Sequence, residues 1–146
     1  MTSIAPGSTI GILGGGQLGR MIAIAAAQLG YCTAIYAPEE SGPAADVSPR
    51  WTRGDYEDAA ALAAFADGVD VVTYEFENID PAAVEVLASH GLVRPGAQAL
   101  RVAQDRLAEK RFVCDLGGLT APFAPVEDLD DLEAAIAQVG SRAILK

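Results

Sequence analysis

The sequence predicts an open, parallel α/β sheet with helices on both faces, and three observations carry that expectation. Thr9 to Leu13 (TIGIL) is a short apolar run bounded by glycines, the pattern of a buried parallel strand. Gly14, Gly16 and Gly19 follow as G-x-G-x-x-G and open a segment with helical spacing. Strand-like and helix-like segments then alternate to about Val93. The right-handed crossover rule turns that alternation into a parallel sheet covered on both sides.

Each element has its own signal. From Gln17 to Leu29, apolar residues recur at Leu18, Met21, Ile22, Ala25 and Leu29, and Gly30 is a natural stop. Tyr31 to Tyr36 (YCTAIY) is rich in β-formers and reads as the second strand. Ala37 to Arg50 carries Pro38, Gly42, Pro43 and Pro49, so it reads as a loop. Asp58 to Ala66 reads as a short alanine-rich helix, and Val69 to Tyr74 as a third strand. Asp80 and Pro81 pair an N-cap side chain with a proline at the first helical position, starting a helix to about Ser89. Leu92 and Val93 read as a brief strand before Pro95.

A further helical region is expected from Ala97 to Leu116, ended by Gly117 and Gly118. A helix over Leu129 to Val139 follows, and Ala143 to Lys146 (AILK) reads as the start of another strand. The change of pattern after Leu116 places one domain at residues 1–116. Residues 117–146 read as a linker and the beginning of a second domain. There are no repeats and no low-complexity tracts.

Composition narrows the partners. With 10 basic and 20 acidic residues the net charge is −10, so the chain repels polyanions and nucleic acid is not an expected partner. A small phosphate can still be held where backbone amides supply a local positive field. Cys32 and Cys114 lie in apolar segments and are expected to be reduced, mostly buried thiols. There is no CxxC and no His–Cys cluster, so no zinc site is expected; His90 stands alone and is given no role. The amino terminus has no basic stretch followed by an apolar run, and Met21 to Leu29 is too short to cross a bilayer. A cytoplasmic protein with no membrane partner is the expectation.

The glycine loop is the strongest chemical signal. Glycine lets the chain turn sharply and lets an anion approach the backbone, while the following helix points unpaired amides and its positive dipole end at that anion. A tight turn with no ligand is the competing reading. A dinucleotide site would also need an acidic residue directly after the second strand. Ala37 and Pro38 follow Tyr36, and Glu39 and Glu40 come late, which weakens a nicotinamide-cofactor reading without excluding it.

GILGGGQLGRM (Gly11 to Met21), TYEFENI (Thr73 to Ile79) and QDRLAEKRF (Gln104 to Phe112), in this order and spacing, resemble the 5-(carboxyamino)imidazole ribonucleotide synthetases of the ATP-grasp superfamily. The terminal ILK resembles that superfamily's lysine-bearing nucleotide strand. The resemblance implies a Rossmann-like pre-ATP-grasp domain followed by the start of an ATP-grasp domain. It implies an ATP-dependent carbon–nitrogen ligase of purine biosynthesis that carboxylates 5-aminoimidazole ribonucleotide with bicarbonate, with magnesium accompanying ATP, in a homodimer.

Carried over by motif, Gly14, Gly15, Gly16, Gln17, Leu18 and Glu75 are expected to bind the acceptor nucleotide, and Arg106 and Lys146 to contact ATP. Glu77 and Asn78 are expected to support the turn beside Glu75. Family members continue well beyond the equivalent of Lys146. The lid, the adenine pocket and the magnesium carboxylates are therefore expected outside this chain, which should be inactive alone and hold no catalytic residue.

Overall fold

The computed structural model describes residues 3–145; Lys146, expected to contact ATP, lies outside them. The chain divides into two compact units, Met1–Gln104 and Asp105–Lys146.

The first unit runs β1 (Thr9–Leu13), α1 (Gln17–Gln28), β2 (Cys32–Ala37), a 3₁₀ turn (Pro43–Asp46), β3 (Arg50–Arg53), α2 (Ala59–Asp67), β4 (Val71–Tyr74), α3 (Pro81–His90) and α4 (Ala97–Gln104). Its four strands form one parallel sheet in the order β3-β2-β1-β4. Strand alternation sends neighbouring residues to opposite faces. Leu13, Tyr36 and Val72 join Leu62, Phe65, Val84, Leu87 and Leu100 from α2, α3 and α4 in one core. Ile12 and Ile35 pack with Ala23 of α1 and Ala44 of the 3₁₀ turn in the other. The expected two-faced parallel sheet is therefore the observed one.

Helical spacing located α1 but not its buried side. Gly19, Ala23 and Ala26 face inward, while Leu18, Met21 and Leu29 are exposed. Small residues are needed because the helix lies close against the chain beneath it. A Cβ on Gly19 would stand 2.5 Å from the Gly14 carbonyl oxygen.

The strand β3 was not expected. Arg-Trp-Thr-Arg has no apolar run, yet it pairs with β2 from Ala34↔Arg50 to Ala37↔Arg53 at the sheet edge. The brief strand at Leu92–Val93 reduces to one bridge, Val72↔Val93, flanked by backbone hydrogen bonds of Val72 to Leu92 and Arg94 to Val72.

The helix expected over 97–116 is two helices, α4 and α5 (Arg106–Asp115). The Gln104 side-chain amide donates to the carbonyls of Glu77 and Ile79 at 2.6 and 2.7 Å, which anchors the end of α4. Asp105 then caps α5, accepting from the Ala108 amide at 2.8 Å. The compact units divide at this break, one helix earlier than the boundary read at Leu116.

The second unit holds α5 and α6 (Leu129–Val139). Within it, Lys110 lies over the Phe123 ring at 5.2 Å. Residues 143–145 are irregular, so the strand expected to start there is not formed among the described residues. Both cysteines are exposed, contrary to expectation. Cys32 opens β2 at the strand's end, and Cys114 lies on α5, which buries none of its residues. His90, given no role, has its Nδ1 3.3 Å from a carboxylate oxygen of Asp67. No helix among the described residues is long and apolar enough to cross a membrane.

Candidate functional site

The parallel register places Leu13 of β1 opposite Tyr74 of β4, so the next residues, Gly14 and Glu75, leave the sheet side by side. Backbone bonds fix both exits: Gly14 N–H donates to Tyr36 at 3.0 Å, and Glu75 N–H to Leu13 at 3.2 Å. This is the carboxyl end of the strands, where open α/β sheets bind ligands. Gly14 turns with φ +111°, and a Cβ there would lie 2.3 Å from Glu75 Cγ. Its glycine is required twice, by conformation and by space.

The Glu75 carboxylate reaches back into the loop. Oε1 accepts from Gly16 N–H at 3.2 Å, and Oε2 from Gly19 N–H at 2.6 Å. Its role is clear from the other helices. The side chains of Asp58, Asp80, Asp105 and Asp128 cap α2, α3, α5 and α6. The N-cap of α1 is Gly16, which has no side chain to offer. Glu75, distant in sequence, supplies the missing acceptors and places a negative charge at the positive end of the helix dipole. Two of the amides at this helix start, those of Gly16 and Gly19, are thus bound to a side chain of the same molecule.

The other wall of the loop is aromatic. A Cβ on Gly15 would come within 2.2 Å of Trp51 Cη2, and the Trp51 indole N–H donates to the Glu39 carbonyl at 3.2 Å. The stretch read only as a loop buttresses this side: Ala44 N–H donates to the Gly15 carbonyl at 3.0 Å, and Arg20 pairs with Asp46 at 2.8 Å. Between these walls lies a cavity of about 430 Å³, bordered by Gly14–Gly16, Glu39, Ser41, Trp51, Tyr56, Glu75 and Phe76, with no lysine or arginine among the described residues of its lining. Its volume is in the range of small-molecule sites.

Tyr56 stacks edge-on to Phe76, with ring centres 5.8 Å apart. Burial first, then the charges of Glu39 and Glu75, push its phenol above the ordinary tyrosine range. It therefore remains protonated and can both donate and accept.

The structure brings Gly14, Gly15, Gly16 and Glu75 together as expected. Gln17 and Leu18 start α1 beside them but are exposed and do not line the cavity. Trp51, Tyr56 and Phe76, which border the same cavity, were not singled out in the sequence, and Glu39, weighed there only as a late acid after the second strand, borders it too. The signal available for Trp51 was that it is the only tryptophan in the sequence.

In the second unit, Arg106 is exposed and paired with Glu109 on its own helix. Asp128 is used as the cap of α6, accepting from Asp130 and Asp131 amides at 2.9 and 3.1 Å. Among the described residues no group of three or more His, Cys, Asp or Glu side chains is placed to hold a metal ion.

The profile of the ribonucleotide synthetase pre-ATP-grasp domain matches residues 7–104. The chain belongs to that family. It is 50% identical over 145 residues to an N5-carboxyaminoimidazole ribonucleotide synthase of Brucella melitensis, covering 99% of this chain and 40% of that protein. Among solved structures it is similar to the N5-carboxyaminoimidazole synthetase of Staphylococcus aureus complexed with ADP. There the TM-score is 0.86 at 36% identity, over 96% of this chain and 38% of that one. The Aspergillus clavatus enzyme, solved with ADP and 5-aminoimidazole ribonucleotide, gives a TM-score of 0.79 at 29% identity, over 93% of this chain and 37% of that one. The chain spans about 40% of the length of the Brucella relative.

Proposed function

We propose that this chain is the acceptor-binding portion of an ATP-dependent ligase that carboxylates 5-aminoimidazole ribonucleotide with bicarbonate in purine biosynthesis. The observation that carries this reading is the Glu75 carboxylate, fixed between two loop amides at the strand ends and bordering the cavity. The family match and the Aspergillus neighbour with bound 5-aminoimidazole ribonucleotide support the choice of ligand.

A carboxylate holding two backbone donors keeps lone pairs for ligand donors. Ribose hydroxyls or the exocyclic amine of the acceptor supply such donors. Gln17 and Leu18, exposed at the start of α1, extend the contact surface. The chain's contribution to the reaction is positional: an acceptor held in one orientation meets the activated carboxyl group at a high effective concentration.

Arg106 and Lys146 are assigned to ATP, whose phosphates they would neutralise. The magnesium ligands belong, on this reading, to the part of the relatives' length that this chain does not span, and no step is assigned to metal here. The chain by itself is expected to give no bicarbonate-dependent ADP release. The assembled enzyme is read as a cytoplasmic homodimer.

Calorimetric titration of 5-aminoimidazole ribonucleotide into the chain, wild type and Glu75→Ala, tests the assignment. Loss of one charge-assisted contact of about 1.5–3 kcal/mol predicts an affinity weakened roughly 10- to 100-fold. Equal affinities in folded proteins would remove Glu75 from the acceptor site.

A further inference from the structure

We propose that Tyr56 is a specificity-determining residue of the cavity beside Glu75. Its hydroxyl donates to a ribose hydroxyl of the acceptor, which in turn donates to a carboxylate of the same cavity. The proposal deepens the acceptor reading above and rests on it for the identity of the ligand.

Three observations converge on this residue. The chain has four tyrosines, and three are committed to the fold. The hydroxyls of Tyr31, Tyr36 and Tyr74 donate to the carbonyls of Ile4, Asp55 and Gly96 at 2.8, 2.8 and 3.4 Å. Tyr56, half-buried, makes no such bond among the described residues and borders the cavity instead.

Second, its ring is held in place. It packs against Phe76 with ring centres 5.8 Å apart and against Tyr36 at 6.1 Å. The loop that carries it is pinned as well: Gly54 N–H donates to the Ala37 carbonyl at 3.1 Å, and the Tyr36 hydroxyl holds the carbonyl of Asp55. A side chain fixed before the ligand arrives loses little freedom on binding it.

Third, the polar groups of the cavity are chemically uneven. Glu39 and Glu75 border it, and ionised carboxylates only accept hydrogen bonds. Trp51 has already given its indole N–H to the Glu39 carbonyl. The side-chain donors left among the described lining residues are the hydroxyls of Tyr56 and Ser41, and Ser41 is exposed. Burial and the two nearby carboxylates keep the Tyr56 phenol protonated, so it has a proton to offer. A ribose hydroxyl matches this set, because it gives its proton to a carboxylate and a lone pair to the phenol. An amine on an aromatic ring has no comparable lone pair to give.

5-Aminoimidazole ribonucleotide and its 2′-deoxy and 3′-deoxy analogues are the probes, titrated by calorimetry into the wild-type chain and Tyr56→Phe. Phenylalanine keeps the ring and its packing, which an unchanged thermal midpoint verifies. The ribonucleotide should bind the variant roughly three- to tenfold more weakly. With one of the two deoxy analogues the loss should shrink to within about twofold, because the hydroxyl that Tyr56 meets is already gone. A Tyr56 that only packs would give equal affinities in the two proteins, or the same loss with all three ligands. Either result overturns the proposal. Glu75→Ala separates the two readings. A ribonucleotide that binds the wild type, weakens on Glu75→Ala and ignores Tyr56→Phe refutes the role of Tyr56 and leaves the acceptor site standing. No binding to the wild type refutes the acceptor reading, and this proposal with it.

Discussion

The two compact units solve the burial problem to very different extents. Residues 1–104 place apolar side chains on both faces of a sheet, with Ile12, Leu13, Ile35 and Tyr36 fully enclosed. In residues 105–146, α5 buries nothing and α6 buries only Ala135, while Leu116, Leu119 and Leu129 are largely exposed. Short helices gain most of their stability from packing an apolar face rather than from propensity. The first unit therefore has the means to hold a rigid site, and the second relies on caps and a few local contacts.

The sharpest way to break the comparison is to attack the turn that joins sheet to site. Gly14→Val forces a side chain into a positive-φ position already filled by Glu75. It should destabilise the first unit by roughly 3 kcal/mol or more, read as a lowered midpoint of thermal unfolding. A valine variant that unfolds like the wild type would show that the loop is not held against Glu75.

Hydrogen exchange sharpens the contrast without any substitution. Amides of β1, β2 and β4 should exchange more slowly than those of α5 and α6 by on the order of a hundredfold or more. Equal protection in the two units would mean that the second is far better packed than its exposed leucines indicate.

Alkaline pH should act on the first unit. Tyr36, Tyr56 and Tyr74 are all raised above the ordinary tyrosine value, each first by burial. The folded state therefore holds these protons more tightly than the unfolded chain does. This contribution is complete below about pH 10 and declines as pH rises through the folded values. Denaturant midpoints measured at about pH 8 and about pH 11 should fall, and Tyr56→Phe should reduce the fall. A midpoint that did not move would contradict the burial of these phenols.

The smallest effect is expected in the second unit. Arg106→Ala removes an exposed pair with Glu109, and the change in stability should stay within about 0.5 kcal/mol.

What was legible in the sequence follows the same physics. β1, β2 and β4 announced themselves because buried parallel strands need unbroken apolar runs, and α3 because Asp80-Pro81 is a local start signal. The edge strand Arg50–Arg53 has one sheet neighbour and no apolar run, so nothing local marks it. The break at Asp105 depends on where Gln104 finds its carbonyl partners, across the turn after β4. At the site, glycine spacing and the position of Glu75 were readable. That the two satisfy each other was not, because it follows from the β1–β4 register rather than from either motif. Trp51 reaches Gly15 through the same kind of long-range placement.

The central claim is that acceptor recognition resides in the loop and strand end of the first unit. Following amide resonances while 5-aminoimidazole ribonucleotide is titrated into the chain tests it most directly. The account predicts shifts at Gly14 to Leu18, at Glu75 and in the Trp51 indole, with residues 106–139 unmoved. Shifts confined to residues 106–139, or none around Glu75 at saturating ligand, would contradict it.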